Sequence, residues 1–86
     1  MFMEFDAVFT SQFDRDIKSL KRDRNILGRL EMKIKEILSN PEHYKPLKNV
    51  LKGKRRVHIG SFVILFEIEA THVIFLRFEH HDKVYF

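Results

Sequence analysis

The sequence predicts an α+β fold: an N-terminal strand and a helical hairpin packed on a mainly antiparallel four-stranded sheet. Three observations predict it. Two neighbouring segments place apolar residues at helical spacing, and three later runs are rich in β-branched and aromatic residues. The joints between those runs, Gly60-Ser61 and Ala70-Thr71, are so short that consecutive strands must be antiparallel neighbours.

Taken in chain order, residues 3–9 (MEFDAVF) alternate partly between polar and apolar and read as the first strand. Ser11 then offers an N-cap with Asp14 in the first turn, opening a short helix whose apolar residues Phe13, Ile17 and Leu20 share a face and which ends near Arg22. A second helix spans about Asn25 to Ser39, its stripe made by Ile26, Leu27, Leu30, Ile34, Ile37 and Leu38, and Asn40-Pro41 stops it. Gly28 interrupts this helix at a propensity cost of about 1 kcal/mol relative to alanine, which close helix–helix packing would justify. Met32 lies off the main stripe and is expected to fill the edge of the core. The strands follow as KRRVHI (54–59), FVILFEIE (62–69) and HVIFLRFE (72–79). Helices then cover one sheet face and leave the other as the working surface.

Composition narrows the function classes. Eighty-six residues suit a single domain, 1–86, with a modest core and no second lobe for a cofactor. The absence of cysteine removes disulfides and thiolate metal sites and fits a reducing, cytoplasmic location. The N-terminus carries Glu4 and Asp6 and reads as a strand, not a leader, and no apolar run reaches membrane-spanning length. The formal charge of +4 conceals a strong asymmetry: no acid lies between Glu42 and Glu67. That stretch holds Lys45, Lys48, Lys52, Lys54, Arg55 and Arg56, a set suited to phosphate contacts, although an ordinary solvated loop can carry the same charge.

Strand alternation assigns side chains to faces. Val57 and Ile59 belong to the core face, which puts Lys54, Arg56 and His58 on the other. Ile74, Leu76 and Phe78 form the apolar set of the last strand, which puts Phe75, Arg77, Glu79 and, if the strand continues, His81 on the open face. His58 and His81 then share a surface while His80 points away, so the adjacent pair is poorly arranged to chelate one ion and no metal site is expected. Two imidazoles with a guanidinium have the parts for metal-free RNA cleavage. A base takes the 2′-hydroxyl proton, an acid protonates the leaving 5′-oxygen, and cations offset the phosphoryl charge. Exposed strand histidines with ordinary hydrogen bonds would look the same in the sequence.

The segments LKGKRRVHIGSFVILFEI and FLRFEHHDKVYF resemble the C-terminal half of RelE/ParE-superfamily toxins, with element order matching over nearly the whole chain. The likeness is greatest to the YafQ-like mRNA interferase branch, from Pro-Leu-Lys of KPLK through Lys52-Gly53 and His58-Ile59 to the terminal histidine. The resemblance implies a RelE-like, microbial-RNase-like fold and the toxin of a type II toxin–antitoxin system. It further implies a ribosome-dependent endoribonuclease that cleaves mRNA in the A site by 2′-hydroxyl attack and is neutralised by an antitoxin in a hetero-oligomer, with no cofactor and no membrane partner. His58 and His81 match two functional histidines of that branch, and Tyr85 matches a terminal aromatic that stacks or assists chemistry. Arg77 would then offset transition-state charge. Lys45 stands where the branch can carry another histidine. Two departures matter: Val63 follows Phe62 where many RelE-like toxins carry arginine, and His81 stands where the arginine of an HR element is usual. They leave a non-catalytic, ParE-like gyrase inhibitor or a small RNA-binding module as alternatives.

Overall fold

In a computed structural model that describes residues 4–48 and 53–83, the chain forms a four-stranded mixed sheet of order β1-β4-β3-β2 with two helices. The elements are β1 (Asp6–Phe9), α1 (Ser11–Ser19), α2 (Arg24–Ser39), β2 (Arg55–Ile59), β3 (Phe62–Glu69) and β4 (His72–His80), with a 3-10 turn at Pro41–His43. Strands β2, β3 and β4 pair antiparallel through the two short joints, and β1 runs parallel to β4. The parallel pairing follows from the helical hairpin, which carries the chain back across the sheet between β1 and the later strands.

Thr10, not Ser11, caps α1. Its hydroxyl accepts the Phe13 N–H at 3.2 Å and donates to the Phe75 carbonyl at 2.9 Å, fixing the end of β1, the start of α1 and the middle of β4 at one point. The helix stops at Ser19, earlier than its apolar spacing suggests, because the chain turns at Leu20–Arg22 to reach the second cap, where Asp23 accepts the Ile26 N–H at 3.0 Å.

The helices and the inner sheet face enclose Phe13, Ile26, Leu30, Ile37, Val57, Ile59, Ile64, Phe66, Val73, Phe75 and Phe78. Phe13 is central: its ring meets Phe9, Phe75 and Phe78 at centroid distances of 5.6, 5.4 and 6.5 Å. Burying such a ring contributes about 2–3 kcal/mol. A smaller cluster lies on the other face, where Leu47 and Leu76 pack over buried Val63 and Leu65. The second face is therefore partly covered.

Two expectations for α2 fail. Gly28 is exposed, and a Cβ built there meets nothing within 4 Å, so no close helix packing explains it. Met32 is 64% exposed and stands clear of the core. In β4, Phe75 is fully buried on the inner face while Ile74 and Leu76 are only half buried. A bulge causes this inversion: Leu65 pairs with Arg77 and Phe66 with Phe75, which leaves Leu76 as the extra residue.

Candidate functional site

The register of the hairpins sets the positions of the proposed catalytic groups. His58 pairs with Val63, which pairs with Glu79; one step nearer the β2–β3 turn, Ile59, Phe62 and His80 form the next row. Beyond it the His81 N–H donates to the Ser61 carbonyl at 2.9 Å. His58 and His81 thus lie at the same end of the sheet. They are separated laterally by β3, about 9–10 Å from β2 to β4 at ordinary strand spacing, and no hydrogen bond or ring contact joins them among the described residues.

Strand β4 ends at His80, so alternation does not govern His81. The chain turns there, closed by the Lys83 N–H donating to the His80 carbonyl at 2.8 Å. As a result the two rings lie 4.6 Å apart between centroids, not on opposite faces. Asp82 serves both: its carboxylate is 2.8 Å from His81 Nδ1 and 3.5 Å from His80 Nδ1. The His81 imidazole is half exposed, held by a carboxylate at one nitrogen, which leaves the other able to take or give a proton.

His58 is exposed and faces an open groove of about 530 Å³ between α2 and β2, which it lines together with Arg24, Arg29, Lys33 and Glu36. Arg29 reaches over the β2–β3 turn, its Nη1 3.5 Å from where a Cβ of Gly60 would stand. Lys33 pairs with Glu36 at 2.7 Å, and that hydrogen bond holds its ammonium above the ordinary lysine range. The cations nearest His58 in this groove come from a helix. Sequence reasoning assigned that role to the basic segment because helical cations carry no signal beyond a solvated face.

The basic segment itself divides. Lys45, Lys48 and Arg56 are exposed, and Lys54 is half buried. Arg55 has the parity of Val57 and pairs with Phe66, so it turns to the helix side, where its Nε is buried without a hydrogen-bond partner. Lys52 and Tyr85 lie outside the described residues.

Arg77 sits on the outer face but folds around the unpaired part of the β4 edge. Its Nε donates to Asp16 Oδ2 at 2.9 Å, and its Nη2 donates to Glu79. The hydrogen bond donated to Asp16, then the charges of Asp16 and Glu79, raise the guanidinium pKa above its ordinary value. Asp16 is the group that the sequence reading overlooked. Buried on α1, it also accepts the Phe78 N–H at 2.9 Å and the Gln12 amide at 3.0 Å, capping a strand edge that β1 is too short to cover. Its signal was present, since Asp16 falls within the apolar stripe of Phe13, Ile17 and Leu20.

The fold and these sequence patterns agree with known proteins. The family described as "ParE toxin of type II toxin-antitoxin system, parDE" matches residues 7–85. The chain belongs to the RelE/ParE toxin superfamily. A Methanocaldococcus jannaschii protein named "Putative toxin RelE4" is 44% identical over 85 residues, covering 94% of this chain and 90% of that one. The RelBE2 toxin–antitoxin complex of Mycobacterium tuberculosis contains a chain of TM-score 0.79 and 26% identity, with 92% of this chain and 100% of that chain covered. A chain in the E. coli DinJ-YafQ toxin–antitoxin complex has the same fold, with a TM-score of 0.75 at 17% identity over 98% of this chain and 100% of that chain. The protein is a toxin of the type II toxin–antitoxin class. No helix among the described residues is long and apolar enough to cross a membrane.

Proposed function

We propose that this toxin is a ribosome-dependent endoribonuclease that cleaves mRNA by attack of a 2′-hydroxyl on the adjacent phosphorus. The observation that carries the reading is the half-exposed His81 imidazole, held at one nitrogen by Asp82 at 2.8 Å on a hydrogen-bonded turn. Such an arrangement fixes ring orientation and stabilises the imidazolium formed on proton transfer. His58 supplies the second imidazole at the same sheet end, and Arg24, Arg29 and Lys33 supply charge for the phosphates beside it. Lys45, Lys48, Lys54 and Arg56 make the more distant RNA contacts, and Tyr85 orients the nucleotide. Arg77 acts through position: its charge is met by two carboxylates, and its pair with Asp16 ties α1 to β4.

Toxins of this fold occur with antitoxins in the RelBE2 and DinJ-YafQ complexes, and a cognate antitoxin is proposed here as well. An acidic, amphipathic segment that folds on binding would complement the basic surface.

The test incubates purified toxin with a translating mRNA and maps the cut ends. Cleavage should leave a 2′,3′-cyclic phosphate or its opened form upstream and a 5′-hydroxyl downstream. His81→Ala and His58→Ala should each slow cleavage by about 10²–10⁴-fold while ribosome binding persists. A 5′-phosphate product, or full activity in both folded variants, would refute the mechanism. The second reading, a non-catalytic gyrase inhibitor, draws support from the commitment of Arg77 to two carboxylates. Inhibition of supercoiling without mRNA cleavage would decide for it.

A further inference from the structure

Alternation along β4 argued against a shared ion at His80 and His81, and the end of the strand at His80 removes that argument. One nitrogen from each ring and one Asp82 oxygen all lie within 4.8 Å of one another. We propose that His80, His81 and Asp82 form a site for a borderline divalent metal ion, of the zinc or nickel class, whose binding withdraws His81 from proton transfer. The metal-binding half stands on geometry alone; the inhibitory half rests on the endoribonuclease reading.

Three features favour the site. The donor set is two imidazoles and a carboxylate, which suits zinc or nickel and disfavours magnesium and calcium, whose sites are built from oxygen. The backbone that carries the donors is already organised, because the His81 N–H is tied to Ser61 and the Lys83 N–H closes the turn on His80. The His80 ring is further oriented by an edge contact with Phe62, at a centroid distance of 5.8 Å. Three donors around a tetrahedral ion stand about 3.3 Å apart at metal–ligand distances near 2.0–2.1 Å. Closing from 4.8 Å calls on the side chains to rotate, and those of His81 and Asp82 are exposed.

The consequence for chemistry is direct. A metal ion takes the lone pair that a general base needs, and it holds Asp82 as well, so the bound toxin loses both the proton acceptor and the group that orients it. The remaining coordination positions stay open to water or to a phosphate oxygen.

Zinc is the probe for calorimetric titration, followed in parallel by the imidazole nitrogen resonances of the five histidines. One ion per chain should bind, with the resonances of His80 and His81 shifting. His80→Ala, His81→Ala and Asp82→Asn should each weaken binding at least tenfold, whereas His72→Ala, at the opposite end of β4, should not. Unchanged affinity in the first three variants, or a response at His43, His58 or His72 in their place, would overturn the site. The cleavage rate is then compared with and without zinc. The ratio should fall at least tenfold for the wild-type toxin and stay near one for His80→Ala. Zinc bound at His80 and His81 with no change in the wild-type ratio would refute the inhibitory step. If His81→Ala cleaves normally, the endoribonuclease assignment of His81 fails, yet the titration still reports on the metal site.

Discussion

Replacing Asp16 with alanine should be the most damaging single polar substitution in this fold. The carboxylate accepts four hydrogen bonds, from Arg77 Nε at 2.9 Å and, more weakly, Nη2 at 3.5 Å, from the Phe78 N–H at 2.9 Å and from the Gln12 amide at 3.0 Å, and Asp16 is only 6% exposed. The losses are unequal. The Phe78 N–H is left on a buried strand edge with no replacement, a cost of about 1–3 kcal/mol. Arg77 is more exposed, keeps Glu79 and can reach water, so its share is discounted to about 1 kcal/mol. Gln12 sits at the rim and adds little. The expected destabilisation is about 2–4 kcal/mol, measured by urea unfolding with the slope checked for two-state behaviour. Asp16→Asn keeps an acceptor for the Phe78 N–H and should cost only about half as much. Arg77→Met should cost less than Asp16→Ala, because the carboxylate retains its backbone partner. If Asp16→Ala lost under 0.5 kcal/mol, or if Asp16→Asn were as harmful as alanine, the edge-capping role would be wrong (both margins on the scale of ~1 kcal/mol per hydrogen bond).

Gly28→Ala should stabilise the toxin by about 1 kcal/mol in a thermal melt, since the added methyl meets nothing within 4 Å on an exposed helix turn. Ala70 has φ 54° in the β3–β4 turn, so Ala70→Gly should raise stability by about 0.5–1 kcal/mol, and a loss would show that the turn holds another conformation. Lys45→Ala with Lys48→Ala should leave folding intact and weaken ribosome binding, lowering the salt slope by about 0.7–0.9 for each phosphate contact removed. An unchanged slope would exclude both from the RNA surface.

Much of this architecture was legible because the ladder is regular where the sequence alternates. Val57 and Ile59 are inward and His58 outward, as parity requires, and β3 begins and ends at the residues its composition marks. Parity failed where the backbone departs from the ladder. The bulge opposite Leu65 and Phe66 moved Phe75 into the core without any glycine or proline to announce it. The turn after His80 brought two rings together that a continuing strand would have parted. Asp16 was missed for a different reason: an acid in an apolar stripe signals a buried partner, but the partner is 61 residues away and emerges only with the tertiary fold. The α2 cations beside His58 were illegible in the same sense, since only the packing of α2 against β2 joins them to a histidine.

The role of Arg77 can be separated from that of its neighbours by holding local charge constant. Asp16, Arg77 and Glu79 together carry one net negative charge, formally, when all are ionised. Arg77→Met alone unmasks a second negative charge near the RNA and should slow cleavage for that reason, whichever role the arginine has. Combining Arg77→Met with Glu79→Gln restores the original net charge while removing the cation. A positioning role requires the double variant to recover most of the rate, to within about tenfold of wild type, because the field at the reacting phosphate is restored. A guanidinium that touches the phosphoryl oxygens in the transition state would instead be missed in both variants, with losses on the order of 10²–10³-fold typical of a removed donor. Comparing single-turnover rates of the two variants, with urea unfolding to confirm that each remains folded, decides between them. A double variant as slow as Arg77→Met would place the arginine back among the groups that contact substrate.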